Sequence, residues 1–169
     1  CTTRAQVVVE LFHDLICPFS NKMFTTVHDG VLPAYGDKVC FVLHQVVQPW
    51  HPQGTYVHEV ALAVKHHQPT AYVAAVRALV AAHESGKFKD ADTWNKTRAQ
   101  IYEELLDVVT PCGVDRATIA SSLVDTGSGT PMTQHLKWAV KFHRVRGVHV
   151  TPTVFVNGLE AGVVSSGWT

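Results

Sequence analysis

The spacing of apolar positions changes its period four times along the chain. The run Val7-Val8-Val9-Glu10-Leu11-Phe12 is almost continuously apolar and predicts a buried strand over residues 7–13. Pro18 to about Tyr35 has a helical pattern that bends or ends near Pro33, and Lys38 to Val46 returns to strand. Together they predict a βαβ unit with a right-handed parallel crossover. Strand signals then stop until Gly147. Alanine and leucine recur at helical spacing in Val60-Ala61-Leu62-Ala63-Val64 and from Tyr72 to Val80, with Pro69 and Gly86 as breaks. A third helical segment runs from about Thr93 to Val109, with Asp92 or Thr93 as N-cap and Ile101, Leu105 and Val109 repeating every four residues. A fourth covers Val114 to Leu123 and meets the break Thr126-Gly127-Ser128-Gly129. The last, Met132 to Arg146, carries Leu136, Val140 and His143 on one side and ends in basic residues before Gly147. Thr153 to Val156 reads as a buried strand, Asn157-Gly158 as a hairpin turn, and Leu159 to Val163 as a short partner strand. The expected fold is α/β: a mixed four-stranded sheet with a helical insertion between the second and third core strands. Residues 1–53 and 147–169 form the core, and residues 54–146 form the inserted helical subdomain.

Where the first strand hands over to the first helix stands Cys17-Pro18-Phe19-Ser20. The first-turn amides of a helix have no intrahelical partner and the helix dipole points its positive end outward, so a thiolate is favoured at that place. Pro18 suits the first helical position. Ser20 occupies the place where a second cysteine would complete a Cys-x-x-Cys pair, so no disulfide can close within the motif. Attack by Cys17 on a disulfide then stops at a mixed disulfide until an external thiol releases it. Ser20 is positioned to donate to the Cys17 sulfur, and the sulfur must be open to solvent for the reaction to proceed.

A second segment, Gly147-Val148-His149-Val150-Thr151-Pro152-Thr153-Val154-Phe155-Val156-Asn157-Gly158, makes the first specific. With it the chain resembles the thioredoxin superfamily, and "TPTVFVNG" is similar to the cis-proline loop and third core strand of DsbA-type oxidoreductases. "HDLICPFS" is similar to the D-x-x-C-P-W-C of FrnE-like relatives, and also to the D-x-x-S-P-Y-S of kappa-class glutathione transferases and 2-hydroxychromene-2-carboxylate isomerases. The resemblance implies a thioredoxin-like fold whose helical insertion follows the DsbA arrangement. It also implies that Thr151 and Pro152 face Cys17 and offer backbone to a bound peptide or glutathione as an added strand. Pro18, Phe19 and Trp50 join them as substrate-binding candidates, and Cys17, Ser20 and His13 are the catalytic ones. The family's buried acid has two candidates here, Glu10 and Asp14, with Glu10 offset by one position. The family also has a closing helix after its fourth strand. The sequence stops at Ser165-Ser166-Gly167-Trp168-Thr169, where such a helix would start, so either it is a truncated form or something else, such as a partner subunit, covers that sheet face.

Composition narrows the partners. Among 169 residues, 46% are hydrophobic and 17% charged, which suits a compact globular chain. Fourteen basic and fourteen acidic side chains cancel, which argues against nucleic acid or an anionic membrane as partner. No polybasic stripe stands out, and no apolar run approaches the ~20 residues of a membrane span. No leader is recognisable, and a secretory or cytoplasmic location are both open; Asn95-Lys96-Thr97 is a glycosylation acceptor only in the former. The four cysteines, Cys1, Cys17, Cys40 and Cys112, lack metal-site spacing. Cys40 reads as a small buried hydrophobe with a bridge to Cys1 as the alternative, and Cys112 as an ordinary loop thiol with a resolving role as the alternative. Eleven histidines contain no His-x-His or His-x-x-x-His pair, so no metal site is expected even though His44 and His51 approach the thiol end of the sheet. His13 reads as a solvated loop group and His58, His66 and His67 as helix-surface groups.

The expected function is a DsbA-like monothiol thiol–disulfide oxidoreductase without a bound cofactor. Its substrate would be a peptide, glutathione or another small thiol or disulfide. Two alternatives use the same fold: an isomerase, transferase or biosynthetic enzyme working non-redox chemistry in the same cleft, and a non-catalytic binding protein. A homo-oligomer is compatible with each.

Overall fold

The computed structural model describes residues 7–167. Its four-stranded sheet has the order β2-β1-β3-β4, formed by β1 (Val7–His13), β2 (Val39–Gln45), β3 (Thr153–Val156) and β4 (Leu159–Glu160). The apolar first strand lies in the interior, parallel to β2 with Leu11 opposite Leu43, and antiparallel to β3 with Leu11 opposite Val154. β4 extends the sheet antiparallel to β3 and is shorter than the sequence predicts. The chain leaves the ladder at Ala161, whose N–H returns to the Val154 carbonyl.

Period-two alternation divides the sheet's apolar load between its faces. Phe12 packs with Val46, Val148 and Phe155 on one face, while Leu11 packs with Met23 and Val154 on the other. The helix after β1 runs as α1 (Pro18–Thr26), a π-helical segment (Val27–Val31) and α2 (Leu32–Tyr35). Pro33 has no N–H for the Asp29 carbonyl, and the Leu32 N–H reaches five residues back to Val27. The predicted bend near Pro33 is therefore a change of helical register one turn earlier.

Between β2 and β3 lie α3 (Gly54–His67), α4 (Tyr72–Glu84), α5 (Asp90–Thr93), α6 (Arg98–Val109), α7 (Arg116–Ser121) and α8 (Pro131–Val145). Their apolar stripes form one cluster that includes Val60, Val64, Leu79, Leu105 and Val109 and reaches Leu15, Ile16 and Phe24 beside the thiol motif. α6 starts later than its apolar spacing suggests because Thr97 and Gln100 make a capping box, leaving α5 as a separate turn. Inside this layer Glu59 is 1% exposed, accepting from Tyr102 Oη and, at 2.6 Å, from Thr133 Oγ1. It thereby ties α3 to α6 and α8. Among the described residues no helix is long and apolar enough to cross a membrane.

The bridge weighed between Cys1 and Cys40 falls partly outside the described residues, because Cys1 precedes them. Cys40 is buried as expected, but it is disulfide-bonded rather than a free thiol. Cys17 and Cys112 are the free cysteines among the described residues.

Candidate active site

Cys17 is the N-cap residue of α1, with extended backbone (φ −86°, ψ 120°) and Pro18 opening the helix. Its N–H donates to the Asp14 carbonyl at 3.1 Å and its own carbonyl accepts from Asn21, so the residue is pinned between turn and helix. From 134 positions later Thr151 comes to face it: the Cys17 S–H donates to the Thr151 carbonyl at 3.6 Å, and the Thr151–Pro152 peptide bond is cis. The thiol expected to stand open is only 6% exposed. The Thr151 carbonyl caps it, so an incoming group must displace that contact to reach sulfur.

Ser20 does not do what its spacing suggests. It is fully buried, and its Oγ accepts the Asp14 N–H at 3.4 Å, which makes it part of the turn's framework. His13 is likewise no solvated loop group: it ends β1 at 1% exposure and stacks on Phe24 at a centroid distance of 5.5 Å. Burial, outweighing the Asn21 hydrogen bond, lowers its pKa to about 4 and keeps the ring neutral near pH 7. Its Nε2 meets Asn21 Oδ1 at 2.9 Å and Asn21 Nδ2 meets His83 Nδ1 at 3.1 Å, leaving His13 Nδ1 without a partner among the described residues.

Asp14 is the centre of the site's polar frame. Completely buried, its Oδ1 accepts the Ile16 N–H at 3.1 Å, and its Oδ2 accepts from the Gln48 N–H at 3.2 Å and from His51 Nδ1 at 2.8 Å. Burial alone would raise its pKa; hydrogen bonding and charge from His58, with the His51 and Ile16 donors, prevail and lower it to about 2. His58, expected on a helix surface, has no exposed area. It sits in the first turns of α3, which face the thiol turn, and its Nδ1 meets Gln45 Oε1 at 3.0 Å. Its Nε2 receives the Leu15 N–H at 3.1 Å and lies 3.3 Å from Asp14 Oδ1. One nitrogen cannot accept from Leu15 and donate to Asp14 at once, so the ring's proton position selects between the two.

Gln48 carries the frame across to the proline loop: its Nε2 lies 3.4 Å from both the His149 carbonyl and Thr151 Oγ1. Three segments thus meet at the thiol, and each presents an exposed apolar side chain: Phe19 (63%), Trp50 (60%) and Val150 (64%). Pro18 is exposed, while Thr151 and Pro152 are half-buried. The other acid candidate, Glu10, is engaged elsewhere, bound by Arg146 at 3.2 and 3.1 Å and by His44 Nε2 at 3.0 Å. Cys112 lies in a 3-10 turn (Thr110–Cys112) packed on α4 and α6, and its pKa is raised by burial. Among the described residues no cluster of His, Cys, Asp or Glu is arranged to hold a metal ion.

Sequence reasoning missed Asn21, Gln45, Gln48, His58 and His83 as members of this frame. A faint signal existed in Asn21, a polar side chain one helical turn after Cys17. Nothing local marks the others.

This sheet, with a helix-capping cysteine opposite a threonine-proline loop, defines a thioredoxin-like protein. The sequence profile of the family described as Thioredoxin matches residues 2–163, and the chain belongs to that family. No curated protein matches it significantly. Its fold is shared with several solved structures. A Pseudomonas syringae protein assigned as a protein-disulfide isomerase is 23% identical with a TM-score of 0.77, over 98% of this chain and 90% of that one. BdbD from Bacillus subtilis is 18% identical with a TM-score of 0.73, over 94% of this chain and 80% of that one. MdbA, a thiol-disulfide oxidoreductase from Actinomyces oris, is 17% identical with a TM-score of 0.70, over 94% of this chain and 73% of that one.

Proposed function

We propose that the protein is a monothiol thiol–disulfide oxidoreductase acting through Cys17. The observation that carries this reading is the placement of Cys17 Sγ at the start of α1, 3.6 Å from the Thr151 carbonyl. A chain that pairs with Thr151 as an added strand takes over that carbonyl and delivers its own sulfur to Cys17. The thiolate of Cys17 then attacks one sulfur of the substrate disulfide. A Cys17–substrate S–S bond forms, the substrate's S–S bond breaks, and the departing sulfur leaves as a thiolate that takes a proton from solvent. Electrons are conserved by the exchange of one disulfide for another. Ser20 offers no second sulfur, so an external thiol, glutathione or a protein cysteine, attacks the mixed disulfide and returns Cys17 to its reduced form. Phe19, Trp50, Val150, Pro18 and Pro152 supply the apolar contacts that hold the substrate. His13 and Asp14 act on the turn that carries the thiol.

The experiment is to mix the protein with oxidised glutathione and weigh it intact. One glutathionyl adduct is expected, absent in Cys17→Ser, retained in Cys112→Ala and removed by added thiol. An adduct that survives Cys17→Ser contradicts the reading.

A further inference from the structure

Beside the thiol turn lies a shallow groove of about 380 Å³ between α8, the start of α3 and the loop after β2. Val47, Leu136 and Val140 form its apolar floor, and Lys137, Lys141 and Arg144 project along it. The three cations fall at i, i+4 and i+7 of α8, a stripe that the sequence hides because other residue types separate them.

No ion pair within the described residues accounts for these charges, although Arg144, in the last turn, also suits the helix dipole. α8 contains no Asp or Glu in its 15 residues, and like charges at this spacing disfavour a helix. Every other arginine among the described residues has a carboxylate within 4 Å, namely Arg77, Arg98, Arg116 and Arg146; Arg144 has none. The carboxylate facing α8 from α3 is Glu59, enclosed at 1% exposure and occupied by Tyr102 and Thr133. The groove is linked to the thiol site through the loop after β2. Val47 and Pro49, which line it, flank Gln48, whose amide reaches Thr151, the residue that caps Cys17.

We propose that this groove binds an acidic stretch of the polypeptide whose cysteine reacts at Cys17. The chemical step rests on the thiol-exchange reading above, whereas the groove's preference for acid does not. The charges extend over roughly 10 Å of helix, too far for one small anion to bridge. An extended chain places alternate side chains on one face about 7 Å apart, so its carboxylates can meet successive cations while intervening apolar side chains reach the floor.

Two peptides test this, one Glu-rich and one Lys-rich, each with a single cysteine held as a mixed disulfide with thionitrobenzoate. Cys17 forms a disulfide with the peptide sulfur as the peptide's own S–S bond breaks, and thionitrobenzoate departs as a coloured thiolate. At low salt the acidic peptide is expected to react about tenfold faster or more. The advantage should collapse in about 0.5 M salt. The combined variant Lys137→Glu, Lys141→Glu, Arg144→Glu should reverse the order, while Lys87→Glu with Lys89→Glu leaves it unchanged. Equal rates at low salt, or an order that survives charge reversal, overturn the proposal. A fluorescent, cysteine-free acidic peptide added to Cys17→Ser separates groove from chemistry. Saturable binding lost on charge reversal upholds the groove even if no peptide exchanges disulfides, and absence of binding overturns it. Single-stranded DNA of equal charge binding as tightly would also overturn the peptide assignment.

Discussion

Asp14 Oδ2 lies 2.8 Å from His51 Nδ1, joining the turn that carries Cys17 to the loop that carries Trp50. Because the same carboxylate also accepts the Ile16 and Gln48 amides, it fixes the sulfur relative to the loop that touches Thr151. The thiol's position is therefore set by a buried anion rather than by the helix alone.

Removing that anion should be costly. Asp14→Ala strands the donors of Ile16, Gln48 and His51, and a loss of about 3–5 kcal/mol is expected in urea unfolding. Asp14→Asn, which keeps the shape and one acceptor oxygen, should lose about 1–3 kcal/mol.

Acid should weaken the fold in two steps of known sign. His13 is lowered to about 4 in the fold, so its contribution is full above the unfolded value of about 6.5 and is lost as pH falls toward 4. The lowered His44, His83 and His143, each held down chiefly by burial, act in the same direction. Asp14, lowered to about 2, contributes fully above about 3.9 and loses its contribution, about 2 kcal/mol, as pH falls through 2. Urea midpoints measured from pH 7.5 to pH 3 should fall first below about 6.5, and His13→Phe should flatten that first fall.

Glu59 gives a test remote from the thiol. Glu59→Ala breaks the link among α3, α6 and α8, leaving Tyr102 and Thr133 without an acceptor, and should cost about 3–5 kcal/mol. Glutathionyl adduct formation at Cys17 should persist wherever the variant remains folded.

Ser20→Cys should change the fate of the adduct. The new thiol, three residues from Cys17, is placed to attack the mixed disulfide, so intact mass should show the glutathionyl form as transient, giving way to an internal disulfide. Replacing the Oγ that accepts the Asp14 N–H should lower stability by about 1 kcal/mol.

The individual strands, the hairpin and the long helical layer could be read from the sequence because their signals are local: apolar continuity in β1, helical spacing in α3 and α4, and Asn157-Gly158 closing the hairpin. Cys17 and Thr151-Pro152 were legible for the same reason, each being a short motif. Ser20, His13 and His58 were misread because their burial depends on which side of a turn or helix faces a distant segment. Asp14 meets Gln48 and His51 only when the turn before α1 and the loop after β2 come together, which no single stretch encodes. The late start of α6 shows the converse: Thr97 and Gln100 carried a local capping signal that the apolar spacing overshadowed.

Whether Cys17 is placed for disulfide exchange can be measured by comparing it with Cys112, the other free thiol among the described residues, in one native molecule. Cys112 is the more exposed, so simple access would make it react first with a disulfide reagent. Peptide mapping after brief exposure to oxidised glutathione should instead find Cys17 modified about tenfold faster or more, as expected of a thiol placed for exchange. Faster modification of Cys112, or equal rates at both, would contradict the account.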